Sequence, residues 1–257
     1  MEPYDEIILF RQPERSHLGD CPICYLPHPI VRSKAVMNGC CGKLICESCH
    51  RSNKMRQVGP LAQVCPFCRH PLPSSDEEAR GLLMKRVEAN DADSLVEAGF
   101  EHNSKGDFDA AFEYWTKAAE LGNAEAHFGL ATMYQHGKGV EKNSEKETYH
   151  LKKAAIAGHP NARFNLGCTD QAAGRTDRAV KHFIIASNHG HDRSLTMIRE
   201  FYVGGKVSKE DFAAALRAHQ AAVSLQRREA ESAVSVTKKA APTDDKIARE
   251  NCQTTCN

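Results

Sequence analysis

Eight cysteines fall within residues 21–68, and they fall in pairs: Cys21/Cys24, Cys40/Cys41, Cys46/Cys49 and Cys65/Cys68. Eight thiolates are what two tetrahedral zinc ions require, and a C-x-x-C spacing lets both sulfurs of one knuckle reach a single metal at about 2.3 Å. The N-terminus opens with acids and its apolar run, Ile7 to Phe10, is only four residues long, unlike a signal peptide. No stretch approaches the ~18 apolar residues of a membrane span. The expected compartment is therefore cytoplasmic or nuclear, where thiols stay reduced, and the cluster reads as metal ligands rather than disulfides. Cys168, Cys252 and Cys256 are left over, the last two in a polar tail.

At 257 residues the chain suits two modules better than one core. The net charge of +1 hides a local bias, since residues 21–73 carry seven basic side chains against the single acid Glu47. The first module is therefore positive. Nucleic acid is nonetheless an unlikely partner by this reading, because base-reading motifs are absent.

The order of the pairs, with fifteen residues between Cys24 and Cys40 and fifteen between Cys49 and Cys65, resembles the RING family of zinc domains. In that family the ligand pairs alternate between two metals. The resemblance implies Cys21, Cys24, Cys46 and Cys49 on one Zn2+, and Cys40, Cys41, Cys65 and Cys68 on the other. A common RING has histidine three residues before its fifth ligand, where this chain has Lys43, and an ammonium offers no lone pair. All-cysteine relatives place the fourth ligand five residues before the fifth, followed by glycine, which Cys41-Gly42-Lys43-Leu44-Ile45-Cys46 matches. His28 or His50 remains an alternative ligand at this corner. The interleaving would let some fifty residues fold on little core, since structural zinc supplies on the order of 10–16 kcal/mol in finger peptides.

The same resemblance implies a binding face for a ubiquitin-conjugating enzyme made by Ile23 in the first knuckle, Pro66 in the last, and Arg69 just after the eighth ligand. Arg69 would bridge the conjugating enzyme and ubiquitin through its several guanidinium donors. The implied activity is that of a non-covalent ubiquitin ligase without a catalytic nucleophile. The segment after Cys49 is polar where many RINGs carry a large apolar residue.

Beyond Pro71 and Pro73, Ser75-Asp76-Glu77-Glu78 reads as a capping box that opens a helix to about Asn90, with Leu82, Leu83 and Val87 on an apolar side. The chain then repeats itself. Small residues precede a glycine in Ala118-Ala119 with Gly122, Ala154-Ala155 with Gly158, and Ala186-Ser187 with Gly190. Seven residues before each glycine stands a bulky side chain (Trp115, Leu151, Phe183), four after it a small one (Ala126, Ala162, Ser194), and eight after it Leu130, Leu166 or Ile198. Ser94 and Ala98 continue the phase backwards, so successive units are offset by 32, 36 and 32 residues, one antiparallel helix pair each. Glycine ends a helix, alanines let helices approach, and the bulky residue fills the hole between repeats. The pattern, with Tyr134, Gly137, Gly139 and Val140 at a helix end and loop, resembles the Sel1-like relatives of tetratricopeptide repeats.

The expected fold is thus a small zinc-bound α+β RING module followed by an all-α solenoid of Sel1-like helix pairs. The boundaries are 1–20 for an N-terminal segment, 21–73 for the zinc finger, 74–90 for a linker helix, 91–224 for three repeats plus a degenerate fourth, and 225–257 for a polar, disordered tail. The function implied is a RING-type ubiquitin ligase that recruits a conjugating enzyme through the zinc module and a protein substrate or scaffold through the repeats. A non-enzymatic protein–protein adaptor with a structural zinc module is the alternative. In the repeats no residues converge as catalytic groups should. Trp115 reads as core, Cys168 as a small buried side chain, and His189-Gly190-His191 lacks a third ligand.

Overall fold

The structure is a computed structural model that describes residues 3–15, 17–28, 35–56 and 64–240. A short helix, α1 (Pro3–Leu9), is followed by irregular chain over residues 11–15 and 17–20. Strands β1 (Ala35–Met37) and β2 (Leu44–Cys46) form an antiparallel hairpin with Ala35 opposite Cys46, and α2 (Glu47–Arg56) follows without a break. From there the described chain is helical: α3 (Asp76–Glu88), α4 (Ala92–Ser104), α5 (Phe108–Glu120), α6 (Ala124–His136), α7 (Ser144–Ile156), α8 (Pro160–Ala172), α9 (Thr176–Ser187), α10 (Asp192–Val203) and α11 (Lys209–Ala240). Helices α4 to α11 pack as four consecutive pairs, each pair also packed on the next.

Caps and turns explain why the helices start where they do. Ser75 caps α3 by accepting from Glu78 N–H at 3.2 Å, while the Glu78 carboxylate accepts from Ser74 N–H at 2.8 Å, closing the box one residue early. Asp91, Asn123, His159 and His191 cap α4, α6, α8 and α10 in one repeat register. Each follows a residue at positive φ: Asn90 at +55°, Gly122 at +83°, Gly158 at +88° and Gly190 at +85°. His191 therefore caps a helix, its Nδ1 accepting from Ser194 N–H at 3.1 Å, and the histidine pair around Gly190 makes no metal cluster.

The core follows the repeat phase. Trp115, Leu151 and Phe183 are buried, as are Ala118, Ala154 and Ala186 beneath them. Trp115 donates its Nε1–H to the Val96 carbonyl at 3.3 Å. Glycines inside the partner helices make room for these rings. A Cβ at Gly129 would lie 2.8 Å from the indole of Trp115, and one at Gly167 would lie 2.6 Å from the ring of Phe183. Ile198, Phe201, Val207 and Ala215 carry the same core into the fourth pair.

Helix α3 docks on both of its neighbours. Val87 packs against the first repeat core, and Arg86 bonds Asp91 at 2.8 Å and Ser94 at 3.2 Å. Its other side meets the hairpin tip, where Leu82 lies beside Gly39 and the Arg86 guanidinium covers Gly42. The polar tail expected from residue 225 needs correction, because α11 continues to Ala240 and packs against α2. Losing large apolar residues removes a core but not helix propensity, and residues 226–240 are rich in Ala, Arg, Lys and Glu with no Gly or Pro. Cys252 and Cys256 lie outside the described residues.

Two stability experiments follow. Trp115→Ala should cost about 3–5 kcal/mol, because it removes the side chain that two repeats share; a loss below 1 kcal/mol in urea unfolding would show that the repeats do not depend on it. Burial holds His150 and His191 down to about 4 and His182 down to about 3, against an ordinary value near 6.5. The unfolded chain then takes up protons first as pH falls below about 6.5, so stability decreases by up to ~1.4 kcal/mol per pH unit for each imidazole. The urea midpoint should drop between pH 7.5 and pH 5, and His150→Gln should flatten that slope. An unchanged slope in His150→Gln would mean that His150 titrates normally in the fold.

Candidate functional site

The first and last knuckles share one backbone design. Cys21 N–H donates to the Leu26 carbonyl at 2.9 Å and Tyr25 N–H to the Cys21 carbonyl at 2.8 Å, with Asp20 and Pro27 bridged. Correspondingly, Cys65 N–H donates to His70 at 2.7 Å and Arg69 N–H to Cys65 at 3.0 Å, with Val64 and Pro71 bridged. In both, the residue after the second cysteine, Tyr25 or Arg69, has φ of 58°. A non-glycine residue held there costs about 1–3 kcal/mol, so the surrounding turn has to over-determine it. The same strained position at the same offset in two segments marks one repeated device.

The remaining four cysteines sit on the hairpin. Cys40 and Cys41 occupy its tip, where the N–H groups of Cys41 and Gly42 both donate to Asn38 carbonyl at 3.1 and 2.7 Å. Cys46 ends β2 and Cys49 lies in the first turn of α2, its N–H directed at Cys46 Sγ at 3.4 Å. The hairpin thus sends one cysteine pair to each of two places, and the knuckles on either side supply the other pairs.

The four sulfurs of Cys21, Cys24, Cys46 and Cys49 lie within 4.8 Å of one another, and so do those of Cys40, Cys41, Cys65 and Cys68. Individual separations are 3.9 Å for Cys24–Cys46, 3.7 Å for Cys41–Cys65 and 3.4 Å for Cys40–Cys68. Ligands about 2.3 Å from a tetrahedral ion stand about 3.8 Å apart, whereas a disulfide closes to about 2.05 Å. Either group could therefore hold a thiophilic metal ion. His28 and His50 stand outside both groups.

The acidities of the first group are split. The hydrogen bond from Cys46 draws Cys21 down to about 4, and the same bond pushes Cys46 up. Burial pushes Cys24 up and Cys49 up to about 12. In the second group burial opposes ionisation of Cys65, but the backbone N–H groups of Cys68 and Phe67 together with the thiols of Cys40 and Cys41 outweigh it, while burial raises Cys40 and Cys41. Without a cation among them, three thiols of the first group resist becoming thiolates; a dication reverses that balance.

Around these groups Ile23 is 40% exposed and Pro66 and Arg69 are exposed, so all three are accessible from solvent. Trp115 is core and Cys168 is half-buried against the Phe183 cluster, with burial raising its thiol. Neither has the surroundings of a reactive group.

A third cluster was not legible in the sequence. His17 Nε2 donates to the buried Glu125 carboxylate at 2.8 Å, and His159 Nε2 lies 3.4 Å from the same oxygen. Burial pushes the Glu125 carboxyl up, but His159 and His17 more than compensate and hold it far below the usual carboxylate range. Three such donors could ligate a metal, yet His159 Nδ1 already accepts from Ala162 N–H at 3.2 Å. That cap leaves the ring proton on Nε2, where it faces Glu125, so the cluster is a hydrogen-bonded latch between residue 17 and the repeats. Only a His–Glu spacing of over a hundred residues encoded it, and no local pattern could have revealed it.

Comparisons with known proteins bear on the helical part. The Sel1 repeat family model matches residues 98–123 and 124–159. The chain is 29% identical over 83 residues to Chitin synthase regulatory factor 4 of Schizosaccharomyces pombe, a stretch that covers 32% of this chain and 13% of that protein. It is 30% identical over 100 residues to the Putative ERAD-associated E3 ubiquitin-protein ligase component of the same yeast, covering 39% of this chain and 14% of the relative. With DAP3-binding cell death enhancer 1 of Mus musculus the identity is 24% over 189 residues, 58% of this chain and 37% of the relative. The chain therefore spans between 13% and 37% of the length of these relatives. Among solved structures, a Sel1 repeat protein from Oxalobacter formigenes superposes with a TM-score of 0.49 at 17% identity, covering 67% of this chain and 79% of that one. The protective antigen c5321 of uropathogenic Escherichia coli, with an SLR fold, gives 0.45 at 22% identity over 67% of this chain and 38% of that one. Residues 98–159 are two Sel1 repeats, and the helix pair that follows them, α8 and α9, carries small and bulky residues at the same positions, with a side-chain cap on α8 but none on α9.

Proposed function

We propose that the chain is a RING-type ubiquitin ligase whose cysteine module recruits a charged ubiquitin-conjugating enzyme while the Sel1 repeats hold a protein substrate or scaffold. The observation that carries this reading is the interleaving: two groups of four thiols, each built from one knuckle and one part of the same hairpin. Cys21, Cys24, Cys46 and Cys49 would hold one Zn2+, and Cys40, Cys41, Cys65 and Cys68 the other. Zinc in such a site supplies no redox chemistry; it fixes the loops that bear the contact residues.

The chain's own contribution is then positional. Ile23 and Pro66 offer apolar contact to the conjugating enzyme, and Arg69 offers guanidinium donors to the enzyme and ubiquitin together. Holding the charged enzyme in its reactive conformer raises the rate without a nucleophile from this chain, since the thioester chemistry stays with the partner. The yeast relative whose name places it in a ubiquitin ligase assembly agrees with this reading. A second reading, a non-enzymatic adaptor, draws support from α11, which packs along α2 and ties the module to the repeats as a docking element would be tied.

Two measurements test the reading. Native mass spectrometry should find two zinc ions per chain, and Cys40→Ser or Cys41→Ser should each lower this to one. If only one of the adjacent cysteines binds, the other substitution leaves both ions in place. In a discharge assay with a panel of ubiquitin-charged conjugating enzymes, the protein should accelerate loss of the thioester. Ile23→Ala and Arg69→Ala should each slow this at least tenfold with zinc content unchanged. A protein with both ions bound that accelerates discharge from none of the panel is the adaptor.

A further inference from the structure

Residues 6–15 lie across the repeats as a bound peptide would, and the surface beneath them is shaped for one. Leu9 is 2% exposed, seated in a hole formed by Ala131, Leu151, Ala154, Ala155, Ala162 and Leu166. The small residues that let the helices approach are also what open this hole. Beside it, Arg163 is 1% exposed, and among the described residues its hydrogen bonds go to main-chain carbonyls rather than to a carboxylate. These carbonyls are those of Leu9 and, at 3.4 Å, Arg11. A buried cation that serves peptide carbonyls is a costly arrangement for a surface with no segment to hold.

The side chains on either side are gripped in turn. Glu6 pairs with Arg178, and the Phe10 ring lies 4.7 Å from His182 with the Arg178 guanidinium 5.1 Å above it. Gln12 bonds Asn188 at 3.1 Å and lies 3.0 Å from His189. The backbone passes so close to the α7–α8 turn that a Cβ at Gly158 would stand 2.8 Å from the Arg15 carbonyl. The outward side of the segment is little engaged, with Ile7 75% and Ile8 43% exposed. A seven-residue helix such as α1 has no independent stability, so it takes its shape from this seat.

We propose that this groove on α6–α9 is a peptide-binding site, that residues 6–15 are its resident occupant, and that a partner protein displaces them with a segment of the same chemistry: an acidic residue, two spacers, then leucine and an aromatic residue. Arg178 reads the acid, the alanine-lined hole reads the leucine, His182 and Arg178 read the aromatic ring, and Arg163 reads the main chain. Occupancy by the cis segment makes access of a partner competitive, as for any site whose ligand is tethered at high effective concentration.

The test uses the full-length chain and a fluorescein-labelled peptide of residues 3–17, read by fluorescence anisotropy. Leu9→Asp in the protein weakens the resident segment and should bind the peptide at least tenfold more tightly than the unaltered chain. Adding Arg163→Ala should remove that gain, and a peptide carrying Leu9→Asp should not bind. An unrelated fifteen-residue peptide that keeps only the acid and the Leu-Phe pair should bind within tenfold of the native peptide. Where Leu9→Asp fails to fold, Phe10→Ala replaces it, since that ring lies on the edge of the groove. No binding to a cooperatively folded variant overturns the proposal, as does equal binding to variant and unaltered chain. Failure of the unrelated peptide overturns the recognition rule, and a dimer abolished by Leu9→Asp would make a second copy the occupant in place of a foreign partner.

Discussion

Close approach of helices through small residues is the constraint on which this structure rests. Ala118, Ala154 and Ala186 are fully buried, and glycines at 129 and 167 lie where any side chain would collide with Trp115 or Phe183. One large ring then serves two repeats at once, which couples neighbours that otherwise touch only each other. Ala131, Ala154, Ala155 and Ala162 leave a hole between α6, α7 and α8, and Leu9 fills it. Fully burying a leucine is worth about 1.5–3 kcal/mol, more than the half-exposed Glu6–Arg178 pair, which falls in the range of about 0–1 kcal/mol. Apolar seating, with charge for direction, holds the N-terminal segment down.

Among the described residues, three segments tie the cysteine module to the helical array. The N-terminal segment runs from the repeats straight into Cys21, with His17 latched to Glu125 at 2.8 Å. Helix α3 contacts the hairpin tip through Leu82 and Arg86 and the first repeat through Val87. Helix α11 packs on α2 from the far end of the array. Attachment to both ends of a solenoid is different from a module on a flexible linker, because a partner bound to one surface is then held at a set distance from the other. For a ligase that brings an acceptor protein to a conjugating enzyme, such a bracket limits which lysines come within reach.

Where the chemistry is local, the sequence was readable. A knuckle is short, so C-x-x-C spacing already names which two sulfurs within it can meet, while the grouping of the pairs was what the resemblance to RING domains implied. Steric repeats are readable for a similar reason: a bulky residue seven positions before a helix-ending glycine keeps recurring because each pair packs alike. Histidine caps were not readable, since imidazole is an uncommon cap, and only the alignment of His159 and His191 with Asn123 and Asp91 in the folded repeats reveals their role. The full length of α11 is not legible either, because residues 226–240 lack the large apolar side chains that mark a packed helix.

By itself, then, the sequence determined the capped helix after Ser75, the helix pairs that follow it and the phase of their core, and it singled out eight paired thiols. These depend on neighbours within one or two turns, on a knuckle of four residues, or on a repeat that states itself several times. Only the tertiary structure decided that Leu9 and Arg163, 154 residues apart, meet, that His17 and His159 share one carboxylate, and that α11 returns to α2. Each of those contacts occurs once, between distant segments, and its energy exists only when the array has already curved to bring both sides together.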